Sequence, residues 1–138
     1  EATEVSLVLV DGPPGISCPV ISSLSGADLA LLVTEPSVSG VHDLQRVIGT
    51  ARKLGVECAV VINKADINPG MASAVEDLCR SQQVQLVGRI PYDSSVTEAM
   101  VQGMPITSYP DGNRVTEVLA AVWDELRGRL LQPEAMEV

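Results

Sequence analysis

The stretch LVLVDGPPG, residues 7–15, shows the pattern from which the fold class is predicted, because an apolar run stops there at a turn. The run starts at Val5, and the residues from Asp11 to Gly15 cannot continue a strand. An unbroken apolar run between turn residues is typical of a parallel strand that is buried on both faces. Three further runs repeat the pattern, so the sequence predicts four strands, over residues 5–10, 29–33, 58–62 and 84–90.

Helical spacing of apolar side chains fills the intervals between these runs. Four helices are predicted, over residues 41–54, 69–81, 95–102 and 115–130. Ser95 and Glu98 have the spacing of a capping box at the start of the third helix, and Gly103 is placed to end it. Strands that alternate with helices predict an α/β fold with a parallel sheet.

Length and composition narrow the classes of protein. The chain has 138 residues, which suits one domain, predicted over residues 1–131 with a loose tail over 132–138. Its net charge of −9 argues against binding to nucleic acid or to an anionic membrane surface. No apolar stretch reaches the roughly 18 residues of a membrane span. Three irregularly spaced cysteines form neither a disulfide framework nor a zinc pattern, and a reducing, cytoplasmic location fits them.

Polar residues follow every predicted strand at the edge of the sheet where parallel strands end. They are Asp11, Thr34, the segment from Asn63 to Asp66, and the segment from Pro91 to Asp93. Ligands of open parallel sheets bind outside the carboxyl ends of the strands, so the sequence predicts a binding site at this edge.

Two short motifs at this edge indicate nucleotide chemistry, and each also has a plainer interpretation. An apolar strand that ends in Asp11 is typical of the carboxylate that orders Mg²⁺ beside a nucleotide, because Mg²⁺ takes oxygen ligands and keeps much of its water. The segment from Asn63 to Asp66 matches the NKxD pattern, in which the Asp reads guanine by hydrogen bonding. Asp-Gly and Asn-Lys pairs are also common in ordinary turns, which leaves both motifs open when each is taken alone.

Residues 7–47, 60–68 (VVINKADIN) and 87–93 (VGRIPYD) together resemble the MinD/ParA/Mrp group of P-loop ATPases, which have a deviant Walker A motif. The similarity runs from Val5 to Ile106 and looks closest to MinD-like ATPases with an inserted ferredoxin-type iron–sulfur segment. It implies a three-layer P-loop NTPase-like fold with a mostly parallel sheet. It also implies an intact protein that binds ATP between two subunits and hydrolyses it as a switch.

The resemblance assigns roles to individual residues. Asp11 would be associated with Mg²⁺ through water, and the loop from Gly12 to Gly15 would be the switch II part of the catalytic site. Asn63 would contact the adenine, and Pro91 with Tyr92 would line the pocket for the base.

Two residues bear on which nucleotide is bound. Asp66, which follows Lys64 in the same nucleotide-binding segment, departs from many adenine-binding members of the group. Pro14 stands where the DxxG motif of GTPases has a glycine. The resemblance therefore favours ATP over GTP.

The phosphate-binding loop is absent from the sequence, in its G-x-x-x-x-G-K-[ST] form and in its lysine-rich deviant form. That loop supplies the backbone N–H cradle and the lysine that hold the phosphates. The expectation is that it lies upstream, that the sheet lacks the P-loop strand, and that the isolated chain does not hydrolyse ATP. A sheet without that strand has an unpaired edge, which favours a homodimer.

Cys18 lies seven residues after Asp11. In the nitrogenase iron protein, which is similar here, a cysteine at that spacing binds a [4Fe–4S] cluster shared between two subunits. The resemblance makes Cys18 a candidate cluster ligand. A small buried cysteine before Pro19 is the plainer alternative.

A second functional class stays open, namely a non-enzymatic signalling or scaffold module with a flavodoxin-like or receiver-like fold. Receivers of response regulators end successive strands in Asp, Thr and Lys, and Asp11, Thr34 and Lys64 repeat that order. Receivers also need an acidic pair after an earlier strand, which this sequence lacks. They leave the INKAD and DGPPG segments unexplained.

Overall fold

Three parallel strands form the sheet in a computed structural model that describes residues 7–109 and 113–131. They are β1 (Leu29–Thr34), β2 (Glu57–Ile62) and β3 (Gln85–Arg89), in the order β1-β2-β3. β1 and β2 stay in register over their whole length. Between β2 and β3 the register shifts, so that Val60 faces Leu86 and Val61 faces Gly88. β2 is therefore the central strand.

Within the described residues, five α-helices and one short 3-10 helix accompany the strands. The α-helices are α1 (Cys18–Leu24), α2 (Val38–Lys53), α3 (Pro69–Ser81), α4 (Ser94–Val101) and α5 (Arg114–Leu130), and the 3-10 helix spans Ile106–Ser108. α2 connects β1 to β2, and α3 connects β2 to β3, as parallel neighbours require. Polar side chains cap the helices that carry most of the core: Ser37 for α2, Asn68 for α3 and Asn113 for α5.

Alternate residues of β2 pack on opposite faces of the sheet, because successive side chains of a strand point in opposite directions. Val60 and Ile62 pack with residues of α2 and α3, whereas Ala59 and Val61 pack with Val122 of α5 and its neighbours. The four β2 residues are no more than 2% exposed. Helices thus cover both faces of the central strand, and the predicted three-layer α/β fold with a parallel sheet is confirmed.

The first predicted strand is wrong for residues 7–10, which the structure describes as irregular chain, while residues 5 and 6 lie outside the described ranges. Val8, Leu9 and Val10 are 74%, 88% and 61% exposed. A strand needs a neighbour for its backbone N–H and C=O groups, and the described residues supply none for this segment. The other three strands are confirmed to within one residue at each end.

The predicted capping box of α4 is also wrong. Asp93, rather than Ser95, is the N-cap, and its Oδ1 atom accepts a hydrogen bond of 2.8 Å from the backbone N–H of Ser95. This hydrogen bonding lowers the pKa of Asp93. Glu98 accepts instead a hydrogen bond of 2.9 Å from the hydroxyl of Tyr109. The predicted end at Gly103 is confirmed by a φ of +67° there.

None of the described helices combines the length and the apolar character that a membrane span requires.

Candidate functional site

The loops that follow β1, β2 and β3 meet at one edge of the sheet, because the three strands are parallel. The loop after β1 contains residues 35–37, the loop after β2 contains residues 63–68, and the loop after β3 contains residues 90–93. These are the segments in which the sequence predicts the binding site. The loop after β2 is central, since β2 lies between the other two strands.

Backbone hydrogen bonds extend beyond the ends of the strands and tie these loops together. The N–H of Asn63 donates to the carbonyl of Thr34 at 2.7 Å, which links the loop after β2 to the last residue of β1. The N–H of Ala65 donates to the carbonyl of Ile90 at 2.9 Å, and the N–H of Ile90 donates to the carbonyl of Ile62 at 2.8 Å. The three loops therefore form one bonded unit rather than three separate turns.

Lys64 forms an ion pair across the site with Glu35, with 2.8 Å between Nζ and Oε1. The backbone of Lys64 has a φ of +52°, a left-handed conformation that non-glycine residues rarely adopt. The hydrogen bond with Glu35 raises the pKa of the Lys64 ammonium. Because both side chains are well exposed, the pair contributes little to stability. Its effect is to place the Lys64 charge against the loop after β1.

Asp66 connects the loop after β2 to the loop after β3. Its Oδ1 atom accepts a hydrogen bond of 2.7 Å from the backbone N–H of Tyr92. The Tyr92 side chain is 56% exposed, and Asn63 and Pro91 are partly exposed. The structure thus brings together all five residues that the sequence predicts for nucleotide binding, on two loops that are bonded to each other.

The turn from β1 into α2 depends on Thr34 and on Gly40, and the role of Gly40 was not predicted from the sequence. Thr34 is 7% exposed, and its hydroxyl donates to the carbonyl of Gly40 at 3.2 Å. The N–H of Gly40 donates to the capping oxygen of Ser37 at 2.9 Å. A Cβ atom at Gly40 would overlap with the carbonyl oxygen of Glu35. The glycine is therefore what allows α2 to approach the turn that carries Glu35.

Asp11 and the loop that follows it lie apart from this bonded unit. Residues 11–15 are exposed and irregular, and Gly15 has a φ of +91°. A Cβ atom at Gly12 would lie 3.6 Å from the Cβ atom of Ser23, so the segment passes close to α1. The bonds that join the other three loops do not include residues 11–15.

The side chains at this edge of the sheet are of the chemical types that bind a nucleotide. Asn63 offers an amide that can both donate and accept, and the exposed Tyr92 ring offers an apolar face for a base. Asp11 offers one exposed carboxylate, which is sufficient for Mg²⁺ when phosphates and water supply the other oxygens.

The cysteines do not fit a [4Fe–4S] cluster by themselves. Cys18 is exposed at the first residue of α1, whereas Cys58 is half-buried and Cys79 is buried. Burial raises the pKa of the Cys58 and Cys79 thiols, which disfavours the thiolate that a cluster needs. Within residues 7–109 and 113–131, no group of three His, Cys, Asp or Glu side chains is arranged to hold a metal ion.

Sequence comparison finds related proteins, although no family model matches the chain. The septum site-determining protein MinD of Escherichia coli is 31% identical over 118 residues, which cover 77% of this chain and 44% of that protein. The uncharacterized ATP-binding protein MJ0547 of Methanocaldococcus jannaschii is 27% identical over 78% of this chain and 41% of its own length. A cytosolic Fe-S cluster assembly factor Nubp1 homolog of Drosophila willistoni is 28% identical over 86% of this chain and 44% of its own length.

Structure comparison gives the same group. The MinD cell division protein of Aquifex aeolicus matches with a TM-score of 0.71 and 27% identity, over 86% of this chain and 51% of that one. The cell division ATPase MinD of Pyrococcus furiosus matches with a TM-score of 0.73 over 86% of this chain and 50% of its own, and at 24% identity it supports the fold alone. The chain spans less than half the length of the curated relatives described above and about half that of these solved structures.

Proposed function

Since its relatives and structural neighbours are MinD/ParA-type P-loop ATPases, we propose that this chain is the base-binding and switch portion of a nucleotide-dependent ATPase of that type. The observation that carries the proposal is the bonded unit of loops at the carboxyl edge of the sheet, which holds Asn63 and Tyr92 on neighbouring segments. The receiver-like alternative gains no support from these relatives.

The base of the nucleotide lies against the loops after β2 and β3 in this proposal. The Asn63 amide forms hydrogen bonds with the edge of the adenine, and Pro91 with Tyr92 covers one face of the ring. Lys64 stays paired with Glu35 and forms the wall of the pocket rather than contacting the phosphates.

Asp11 and the loop from Gly12 to Gly15 form the switch in this proposal. Mg²⁺, when bound, neutralises charge on the phosphates, and Asp11 orders the water around it. Gly15, with its φ of +91°, lets the loop turn toward α1, so that a contact between the loop and a phosphate reaches that helix.

The phosphate-binding loop and its strand belong to a part of the protein outside these 138 residues in this proposal. Two features support it: the sequence lacks the loop motif, and residues 8–10 and the edge strand β1 expose apolar side chains. Val33 on β1 is 64% exposed. The isolated chain is accordingly inactive in ATP hydrolysis, and the intact protein acts as a cytoplasmic homodimer.

The test is equilibrium binding of ATP and GTP to the full-length protein, with Mg²⁺ present. We expect Asn63→Ala to weaken ATP binding about tenfold, which corresponds to about 1.4 kcal/mol for lost hydrogen bonds to the base. Gln45→Ala is the matched control, since Gln45 is an exposed amide side chain on α2. Asp11→Ala is expected to keep base binding and to lose hydrolysis. A full-length protein that binds neither nucleotide would refute the proposal, as would equal affinities for the Asn63→Ala and Gln45→Ala variants.

Iron–sulfur binding is a second candidate function, and the similarity to the Nubp1 homolog is the observation that favours it. Cys18 alone supplies two thiolates in a pair of chains, whereas a [4Fe–4S] cluster takes four. The other two ligands would have to come from elsewhere in the longer protein. Anaerobic reconstitution with iron and sulfide tests this. A visible charge-transfer band that Cys18→Ser abolishes would support Cys18 as a ligand, and a band unchanged in that variant would exclude it.

A further inference from the structure

The hydrogen bond between Asp66 and Tyr92 satisfies a backbone N–H group in the loop after β3. The N–H of Ile90 is bonded to the carbonyl of Ile62, and the next residue, Pro91, has no N–H. Tyr92 therefore provides the first amide after β3 that remains to be satisfied, and the Asp66 carboxylate accepts it at 2.7 Å. A carboxylate that accepts a backbone N–H forms a stronger bond than a neutral acceptor does.

This bond is one of two hydrogen bonds that together hold the loops after β2 and β3 in a fixed arrangement, called the two-bond frame below. One side is the bond of 2.9 Å from Ala65 N–H to the carbonyl of Ile90, and the other is the bond from Tyr92 N–H to Asp66. Pro91 lies between the two bonded positions, and its ring fixes its own φ angle. The two-bond frame therefore fixes the backbone of Tyr92, and with it the direction of the Cα–Cβ bond, although the side chain is 56% exposed.

We infer that Asp66 is a positioning residue, which holds the Pro91-Tyr92 segment beside the base site and does not read the base. The inference rests on the proposed function for the identity of the base, but the positioning itself does not. An aspartate that reads guanine must turn both carboxylate oxygens toward the N1–H and N2–H donors of the base. Here Oδ1 faces the backbone of Tyr92 instead. Asp66 therefore gives guanine no advantage, and we expect the site to prefer adenine nucleosides in spite of its NKxD pattern.

The first test is amide hydrogen exchange of the full 138-residue chain, followed residue by residue by NMR. Asp66→Ala is expected to speed exchange at the Tyr92 amide about tenfold, because a charged acceptor is lost. Asp66→Asn keeps an oxygen that can accept the bond, so its Tyr92 amide is expected to exchange within about threefold of wild type. The amide of Val61, inside the sheet, is the internal control for folding. Equal Tyr92 exchange in wild type and Asp66→Ala, with the Val61 amide protected in both, would overturn the positioning role.

The second test titrates the same proteins with adenosine, guanosine and xanthosine. Positioning predicts that Asp66→Asn keeps the wild-type preference for adenosine, and that Asp66→Ala weakens adenosine binding about tenfold. Base reading predicts a wild-type preference for guanosine that Asp66→Asn converts to xanthosine, since an Asn side chain matches the N1–H donor and O2 acceptor of xanthine. That conversion would overturn the inference. If none of the nucleosides binds, the proposed base site fails, while the Tyr92 exchange rates still decide whether Asp66 positions the loop.

Discussion

Replacing Gly40 by alanine is expected to destabilise the chain, although the same substitution normally stabilises a helix. Gly40 lies in the first turn of α2, and alanine gains about 1 kcal/mol over glycine in a helix interior. At this position, however, the new Cβ atom would overlap with the carbonyl oxygen of Glu35, and it would lie 3.0 Å from both Ser37 Oγ and Thr34 Oγ1. A backbone oxygen cannot rotate away, so the turn itself must move.

The magnitude follows from two costs and one gain in stability. Inserting a methyl group into a packed site costs about 1–3 kcal/mol, and disturbing the cap formed by Ser37 costs about 1 kcal/mol more. After the gain in helix propensity is subtracted, Gly40→Ala is expected to lower the free energy of unfolding by about 2 kcal/mol. The same movement would shift Glu35 away from Lys64.

Gly49 provides the matched control in the same helix. Apart from the neighbouring backbone of α2 itself, no heavy atom lies within 4 Å of the position of a Cβ atom at Gly49, so Gly49→Ala is expected to raise the free energy of unfolding by about 0.5–1 kcal/mol. Urea unfolding followed by circular dichroism measures both variants against wild type. The reasoning is refuted if Gly40→Ala is as stable as Gly49→Ala, since helix propensity alone would then describe both positions.

Two further predictions concern packing and pH. Gly88→Ala is expected to destabilise the chain by about 1–3 kcal/mol, because its Cβ atom would overlap with Cγ2 of Val122, a buried β-branched side chain with little rotamer freedom. Adding Val122→Ala to the same chain should relieve part of that loss. Additive effects of the two substitutions on the free energy of unfolding in urea would contradict the overlap. The pKa of Asp93 is lowered in the folded chain, so its contribution to stability is present above the ordinary Asp pKa and is lost as the pH falls through the lowered value. Asp93→Asn, which keeps an acceptor for the Ser95 N–H, is therefore expected to unfold with a weaker dependence on acidic pH than wild type, and an unchanged pH profile would count against this assignment.

The sequence predicts the elements whose signals are local. The apolar runs predict three of the strands, and Asn68 with Pro69 predicts the start of α3 at the residue where it begins. The interval between Ser95 and Glu98 misleads, because Asp93 is an equally favoured N-cap residue two positions earlier and the helix begins after it.

The features that sequence reasoning missed depend on contacts between distant segments. Glu35 and Lys64 are separated by a helix and a strand, and only the parallel order of β1 and β2 brings them within 2.8 Å. The need for glycine at position 40 comes from the carbonyl of Glu35, which no pattern of residue types reports. Their opposite charges near the ends of neighbouring strands are the available signal, since Glu35 directly follows β1 and Lys64 is the second residue after β2.

Residues 7–10, which form no strand, precede the proposed switch and bear on how it is coupled to the rest of the fold. Leu9 and Val8 are 88% and 74% exposed, and full burial of such side chains contributes about 1.5–3 kcal/mol each. Val33, on the exposed edge strand β1, is 64% exposed as well. A strand placed between residues 7–10 and β1 would recover several kcal/mol, which is comparable to the whole stability of a small domain. If that strand carries the phosphate loop, as proposed, then residues 7–10 become ordered at the same time as the phosphate site forms. The loops of the proposed base site, bonded among themselves without residues 11–15, would be formed beforehand.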